Sequence, residues 1–424
     1  MDKLINILKN SNVADYQIVQ KETISHQAFF VEQKLDQHRI NSVTHTTLTI
    51  YVDNEDKTKR GSSTKEIYQD ETEDDIRQDI ENMKFNALLA MNPYYPLVGN
   101  QKHFEEKSKI DLLDSLKNVI KAIQSIKNTE TEKINSYEIF ANQNYIHILN
   151  SQNVDITYNQ ADEMVEIVIN SLNKEHEVEV YHMIETGADQ TTEEIRNDIL
   201  EVFKKANDRS KAIPAKKAEK VHVLLSGSDL KEFFNYFVDK INTQLIYGGN
   251  SCTKLNDQIQ QGDDTDKISL KAVAKLPYSS LNVPYSREGT EASDFMILDN
   301  GKYVNYTGSQ IYAHYLGLKN VPFAANYQVS GGSKTIEQMK KQPYLEIVQF
   351  SSFQVDIITG DFGGEFRLAY YYDGETVKPV TAGSITVNMN DILNHMYLSK
   401  ETKQYNNWII PQTIELFDVD VAGE

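Results

Sequence analysis

Residues 221–241 read VHVLLSGSDLKEFFNYFVDKI, and the parsing of this stretch decides how the second half of the chain folds. Residues 221–225 are an apolar run closed by Ser226-Gly227-Ser228, the pattern of a strand ending in a turn. Beyond the turn, Leu230, Phe233, Phe234, Phe237, Val238 and Ile241 fall at i, i+3, i+4, i+7, i+8 and i+11, a single apolar stripe along a helix. Upstream, KKANDRSKAIPAKKAEK at 204–220 has no apolar period and contains Pro214. It reads as the link between two large domains, with the connector itself at 211–220.

Working back from the link, Thr191 and Glu194 form a capping-box pattern ahead of Ile195, Ile199, Leu200 and Phe203, which predicts a helix. Residues 136–184 alternate as strands and predict an antiparallel meander with polar turns at 142–144 and 150–153. A second helix carries Leu112, Leu113, Leu116, Val119, Ile120 and Ile123. A third is expected from Thr72, with Asp75 completing its box, through Ile76, Ile80, Met83, Ala87 and Leu88. Leu48, Ile50 and Val52 alternate with Thr47, Thr49 and Tyr51 as a strand. Working forward, DFMILDNGKYV at 294–304 and LAYYYDGETVKPV at 368–380 are hairpins around Asn300-Gly301 and Asp373-Gly374. Short helices are expected at 307–318 and 389–395.

Residues 176–182, HEVEVYH, look superficially like a zinc-protease signature. The helical signature is H-E-x-x-H, with its histidines at i and i+4. Here Val178 and Val180 alternate with polar residues, so the stretch is a strand. His176 and His182 then lie roughly 20 Å apart, too far to share one ion.

The 424 residues hold 62 acidic and 43 basic side chains, a formal charge of −19. Such a chain is repelled by phosphate backbones and anionic lipid, so neither nucleic acid nor a membrane is expected as a partner. Cys252 is the only cysteine, which excludes an intrachain disulfide and a four-cysteine zinc site and fits a reducing compartment. MDKLINILKNSNVADYQ lacks the apolar core of a signal peptide, and no window has the 18–20 apolar residues of a spanning helix, so a cytoplasmic location is expected. No phosphate-binding G-x-x-x-x-G-K-[ST] or G-x-G-x-x-G loop occurs.

Several stretches, in order, resemble the TldD/PmbA family: VHVLLSGSDLKEFF, YSREGTEASDFMILDNGKYVNY, SQIYAHYLGLK, TIEQMKK, DIITGDFGGEFRLAYYYDGETVKPV with ITVNMNDIL, and IIPQTIELFDVDVAGE. LTIYV, KRGSST and YIHILNSQNVDI resemble the family's N-terminal strands more loosely. The likeness is greatest to the PmbA/TldE branch. It implies an α+β fold: an N-terminal α/β domain with an antiparallel sheet at 1–210 (sub-parts about 1–100 and 101–210), then a β-rich domain at 221–424. It also implies a dimer around an internal cavity.

In the TldD branch the helix after the VHVLL-like strand carries H-E-x-x-x-H, which holds zinc with a later cysteine. Here the histidine slots fall at Lys231 and Tyr236 and the glutamate slot at Glu232; Cys252 comes before the late motifs. Glu232 alone cannot hold catalytic zinc, which takes about three protein ligands. Neither a catalytic residue nor a metal ligand is therefore assigned, and zinc is expected only in a TldD-like partner. The glycine-rich ITGDFGG stretch offers Gly360, Asp361 and Gly363 as a peptide groove, although Phe350, Phe353, Arg367 and Leu368 stand where the family is richer in glycine.

The resulting expectation is a PmbA/TldE-like subunit of a cytoplasmic peptide-processing metalloprotease system, itself lacking the metal. It would pair with a TldD-like subunit or with itself and take extended peptide. The alternatives are a homodimeric peptide-binding scaffold, and an active metallopeptidase whose ligands lie outside the motif, with His222, His314 and His395 the first residues to mutate. Cys252 has no nucleophile signature around it, His147 reads as a strand histidine, and Asp263, Asp264 and Asp266 read as an exposed acidic loop.

Overall fold

The computed structural model describes residues 2–99, 103–106, 111–174 and 176–424. Among them the strands form three sheets, of eight, nine and six strands, in an α+β arrangement.

The first half runs α1 (Asp2–Asn10), β1 (Asp15–Val31), β2 (Lys34–Asp53), β3 (Lys59–Glu66), α2 (Glu73–Leu89), β4 (Met91–Pro93), β5 (Phe104–Glu106) and α3 (Leu112–Gln124). It ends with β6 (Glu132–Asn150), β7 (Asp155–Asn173), β8 (His176–Thr186) and α4 (Thr192–Ser210). The eight-stranded sheet is ordered β4-β3-β2-β1-β6-β7, with β5 and β8 both pairing β7. Helices α1 and α2 lay Leu8, Ile76, Ile80 and Met83 on Ile18, Leu48 and Ile50. Helices α3 and α4 lay Leu116, Val119, Ile195 and Ile199 on Ile139, Val165 and Ile167. Both expected capping boxes form: Thr72 with Asp75 starts α2 and Thr191 with Glu194 starts α4, each cap contributing about 1 kcal/mol.

The turn expected at 142–144 does not exist. β6 runs unbroken through it, because the side-chain amides of Asn142 and Asn144 donate across to Asp162 on β7 at 2.8 and 2.5 Å. The pairing satisfies residues that would otherwise favour a turn. The chain reverses instead between Asn150 and Asp155, where the second turn was expected.

The second half runs β9 (Ile213–Pro214), β10 (Ala218–Ser226), α5 (Leu230–Lys240), α6 (Thr243–Tyr247), β11 (Leu270–Val273), β12 (Phe295–Asp299), β13 (Lys302–Tyr303), α7 (Gln310–Tyr315), β14 (Asn326–Val329) and α8 (Ile336–Met339). It continues with β15 (Tyr344–Phe350), β16 (Gln354–Val355), β17 (Asp361–Tyr372), β18 (Val377–Thr381), β19 (Gly383–Asn388), α9 (Met389–Ile392), β20 (Met396–Leu398), β21 (Thr402–Tyr405), β22 (Trp408–Pro411) and β23 (Thr413–Ala422). The nine-stranded sheet is ordered β15-β10-β23-β19-β17-β18-β9, with β16 on β17 and β20 on β23; the six-stranded sheet is ordered β13-β12-β11-β14-β22-β21. The stretch read as a link is tied into this half: β9 pairs β18 and β10 begins at Ala218. Around the 294–304 turn, Asn300 and Gly301 both adopt positive φ, +48° and +73°, as a two-residue hairpin requires.

Helix α5 lies within the core. Phe233, Phe234 and Phe237 share one apolar cluster with Val223, Leu225 and Ile347 of the nine-stranded sheet and with Leu270, Ile297 and Trp408 of the six-stranded one. The stripe that predicted the helix is the stripe that fixes its rotation, and this sets where the helix's polar side chains point.

Candidate functional site

Lys231, Glu232 and Tyr236 leave α5 toward different surroundings. Lys231 lines a cleft between the two halves of the chain, and Glu232 is exposed. Tyr236 reaches the 356–361 turn, where its hydroxyl lies 3.3 Å from the place a Cβ on Gly360 would occupy. Lys240, one turn on, sits 5.5 Å over the Tyr236 ring and donates to the Ile357 carbonyl at 3.1 Å. Gly360, at φ +79°, closes that turn by donating to the Asp356 carbonyl at 2.9 Å. Asp361 accepts from Asn388 Nδ2 at 2.8 Å. The tyrosine slot and two of the three groove candidates therefore meet. Gly363 does not join them: a Cβ there would stand 2.1 Å from the Ile385 carbonyl, so its bare α-carbon serves the close approach of β19.

The bulkier residues in the glycine-poor stretches fill space. Phe350 and Phe353 pack at 4.9 Å between centroids, Phe353 lies 6.1 Å from Phe362, and Leu368 is buried, while Arg367 is exposed beside Glu365 at 3.8 Å.

The cleft beside Lys231 encloses about 340 Å³. One wall is β8, which carries the HEVEVYH stretch, and α4; the other is the Ser228–Asp229 turn, the end of β15 and β21. Lys403 Nζ lies 2.9 Å from Glu201 and 3.6 Å from Asp198 across it. Asp229 accepts from the Phe350 amide at 3.2 Å. Burial dominates the protonation of this cleft. It pushes His182 down to about 4, helped by Lys205 and Lys403, and it raises Asp198 and Asp229 while lowering Lys205. His176 and His182 both lie on the strand β8, as expected; His176 is exposed and His182 lines the cleft. No stretch of sequence flagged this cleft, because its residues come from segments separated by more than two hundred positions. The one local trace was the polar end of HEVEVYH.

The histidines set aside as mutational targets are divided. His222 and His395 flank Phe417, at 5.2 and 4.7 Å between ring centroids. His222 Nε2 lies 2.9 Å from Glu415, and His395 Nδ1 lies 3.0 Å from Asp264. His314 lies apart, on α7. Asp264 is held by Tyr397 as well, and Asp266 accepts the Ser333 and Leu398 amides at 2.9 and 2.8 Å, so the acidic loop is anchored rather than free. His147 Nε2 lies 2.8 Å from Asp155, whose other oxygen lies 3.3 Å from His103. Cys252 is exposed. Among the described residues no three His, Cys, Asp or Glu side chains are grouped to hold a metal ion, and no helix is long and apolar enough to cross a membrane.

Residues 218–423 match the family model of the PmbA/TldA metallopeptidase C-terminal domain. Residues 218–423 are thus a domain of the TldD/PmbA family. None of the curated proteins matches the chain. Solved structures share its fold over the full length. A proposed modulator of a DNA gyrase from Thermotoga maritima superposes with a TM-score of 0.77 at 17% identity, covering 99% of each chain. TldE from Thermococcus kodakarensis gives 0.76 at 15%, covering 99% of this chain and 100% of its own. A proposed modulator of DNA gyrase from Bacteroides thetaiotaomicron gives 0.79 at 14%, covering 100% and 98%. At these identities the likeness carries the fold alone. In this TldD/PmbA-family domain lie α5 and the strand before it.

Proposed function

We propose that the chain is a non-catalytic, PmbA/TldE-like subunit of a cytoplasmic peptide-processing metalloprotease system. It would dimerise with a metal-bearing TldD-like subunit and help enclose extended peptide. The observation that carries this reading is the chemistry of α5: a lysine, a glutamate and a tyrosine stand in the slots, and they face a cleft, solvent and a β-turn respectively. The lysine of the first slot, and the Tyr236 phenol, whose ionisation burial pushes up, do not replace two neutral imidazoles as zinc ligands.

The test is to purify the chain without chelators, alone and co-expressed with a TldD-like relative, and to measure zinc and cleavage of unfolded peptides. The expected result is substoichiometric zinc and no cleavage alone, with both present in the complex. One zinc per chain with peptidase activity in the isolated protein would refute the proposal. The packed Phe350–Phe353–Phe362 cluster favours a second reading, a homodimeric scaffold with no proteolytic partner. Failure of the relative to co-purify, together with a stable homodimer on gel filtration, would select it.

A further inference from the structure

His26 on β1 and His38 on β2 stand side by side, their ring centroids 5.6 Å apart and their planes at 24°. The sheet builds this placement. His26 pairs Ile40 and His38 pairs Ala28, so the two histidines are diagonal neighbours on one face. The strands pair from Asp15 with Tyr51 to Val31 with Lys34, which holds the register. Further along β1, Ala28 and Phe30 of that face enter the apolar cluster shared with α3, whereas His38 and Ile40 are exposed.

The pair differs from the histidines elsewhere. His45, His147, His222 and His395 each lie against a carboxylate. Among the described residues, no ring nitrogen of His26 or His38 has a hydrogen-bond or ion-pair partner, and His26 Nδ1 is buried in that condition. A buried nitrogen left unpaired is destabilising, and a ligand bound to it would relieve the cost. Burial, with the His38 ring adding to it, lowers the pKa of His26, so its imidazole is neutral and has a lone pair to give. The formal charge of −19 favours a cation as the group that takes it.

The spacing suits one ion. An imidazole nitrogen binds zinc-like ions at about 2.0–2.1 Å, which puts each ring centroid roughly 3.2 Å from the ion and lets two rings stand up to about 6 Å apart. The observed separation lies within that reach, and His38, being exposed, can turn its ring to close on the ion. We infer that His26 and His38 form a two-imidazole site for a divalent late first-row metal ion, with water completing the coordination. Bound there, the ion ties the outer part of β2 to β1, where β3 no longer flanks it: β3 pairs β2 only over Thr47–Asp53. Two protein ligands are fewer than structural or catalytic zinc takes, so the ion exchanges with solvent and leaves the zinc content expected after purification unchanged. The inference is independent of the subunit reading, since neither a partner nor cleavage enters it.

The test titrates the full chain with copper(II), the tightest binder among these ions, in a glycine buffer. Calorimetry gives stoichiometry and affinity, and electron paramagnetic resonance gives the nitrogen ligands. The expected result is one tight copper per chain, bound by two imidazole nitrogens. Affinity should fall at least tenfold in His38→Ala and in His26→Gln, and stay unchanged in His45→Ala and His147→Ala. His38 is exposed, so its replacement tests the site even if the His26 variant folds poorly. A tight site that survives His38→Ala would overturn the inference, as would a spectrum with a single imidazole or no tight site at all.

Discussion

Replacing Glu163 by glutamine should stabilise the protein at pH 8 and do little at pH 5. Glu163 lies on β7 and is 2% exposed. Burial pushes its carboxyl up to about 7 from an ordinary 4.5; contact with Ser115 works the other way, and Asp162 and Asp189 add repulsion. The Ser115 hydroxyl donates to the Ala188 carbonyl at 3.0 Å, and Glu163 Oε1 has no partner. A protonated carboxyl, which can itself donate, therefore suits the site better than a carboxylate. Between pH 4.5 and about 7 the unfolded chain releases this proton and the folded chain keeps it. Stability is thus full below pH 4.5 and is lost as pH rises through 7. At about 1.4 kcal/mol per pH unit the loss approaches roughly 3 kcal/mol at pH 8. Glu163→Gln, neutral and nearly isosteric, abolishes it. Thermal melts followed by circular dichroism should show the unfolding of the first half rise by roughly 6–12 °C at pH 8, against a gain below about 1 kcal/mol at pH 5. Trp408, the sole tryptophan, stacks on Tyr327 at 4.4 Å in the C-terminal core, so its fluorescence follows that core during the same melts. An equal gain at both pH values, or a loss at both, would mean that packing and not the proton governs the site.

Three further outcomes are expected. Arg60→Met should destabilise the N-terminal domain by about 3–5 kcal/mol, read from urea unfolding, because it strands Asp15 and Asp53, which the buried guanidinium holds at 2.5 and 2.6 Å. His182→Gln should flatten acid destabilisation: with the folded imidazole held near pH 4, only the unfolded chain gains this proton between pH 6.5 and 4, so stability is present above 6.5 and falls below it, and melts across that window measure the difference. Gly363→Ala should lower the melting temperature of the C-terminal domain sharply, since φ is +145° and the new methyl would meet the Ile385 carbonyl, whereas Gly374→Ala, strained too at φ +104° but with only Pro343 within 4 Å, should cost less.

Local chemistry made much of the fold legible. The capping boxes at Thr72 and Thr191 and the phenylalanine stripe of α5 needed no distant partner to be read. Asn142 and Asn144 misled because the residue that satisfies them, Asp162, is on another strand. The outer part of β2 was missed because residues 34–43 are exposed and lack an apolar alternation. For the site, sequence order brought Lys231, Glu232 and Tyr236 to one helix, but only packing could show that they part company. The cleft was invisible because edges become neighbours only when three sheets are assembled.

The pairing of β10 with β23 has a consequence for synthesis. Leu224 meets Glu415 and Gln17 meets Asn150, so both halves of the chain are stitched by contacts of very long loop separation. Such topologies fold slowly. At a translation rate of about 5–20 residues per second, β10 leaves the ribosome roughly 10–40 s before its partner exists. For that interval the nascent chain shows a bare apolar edge, so soluble yield should depend on culture temperature and chaperone supply more than on the stability of the finished protein.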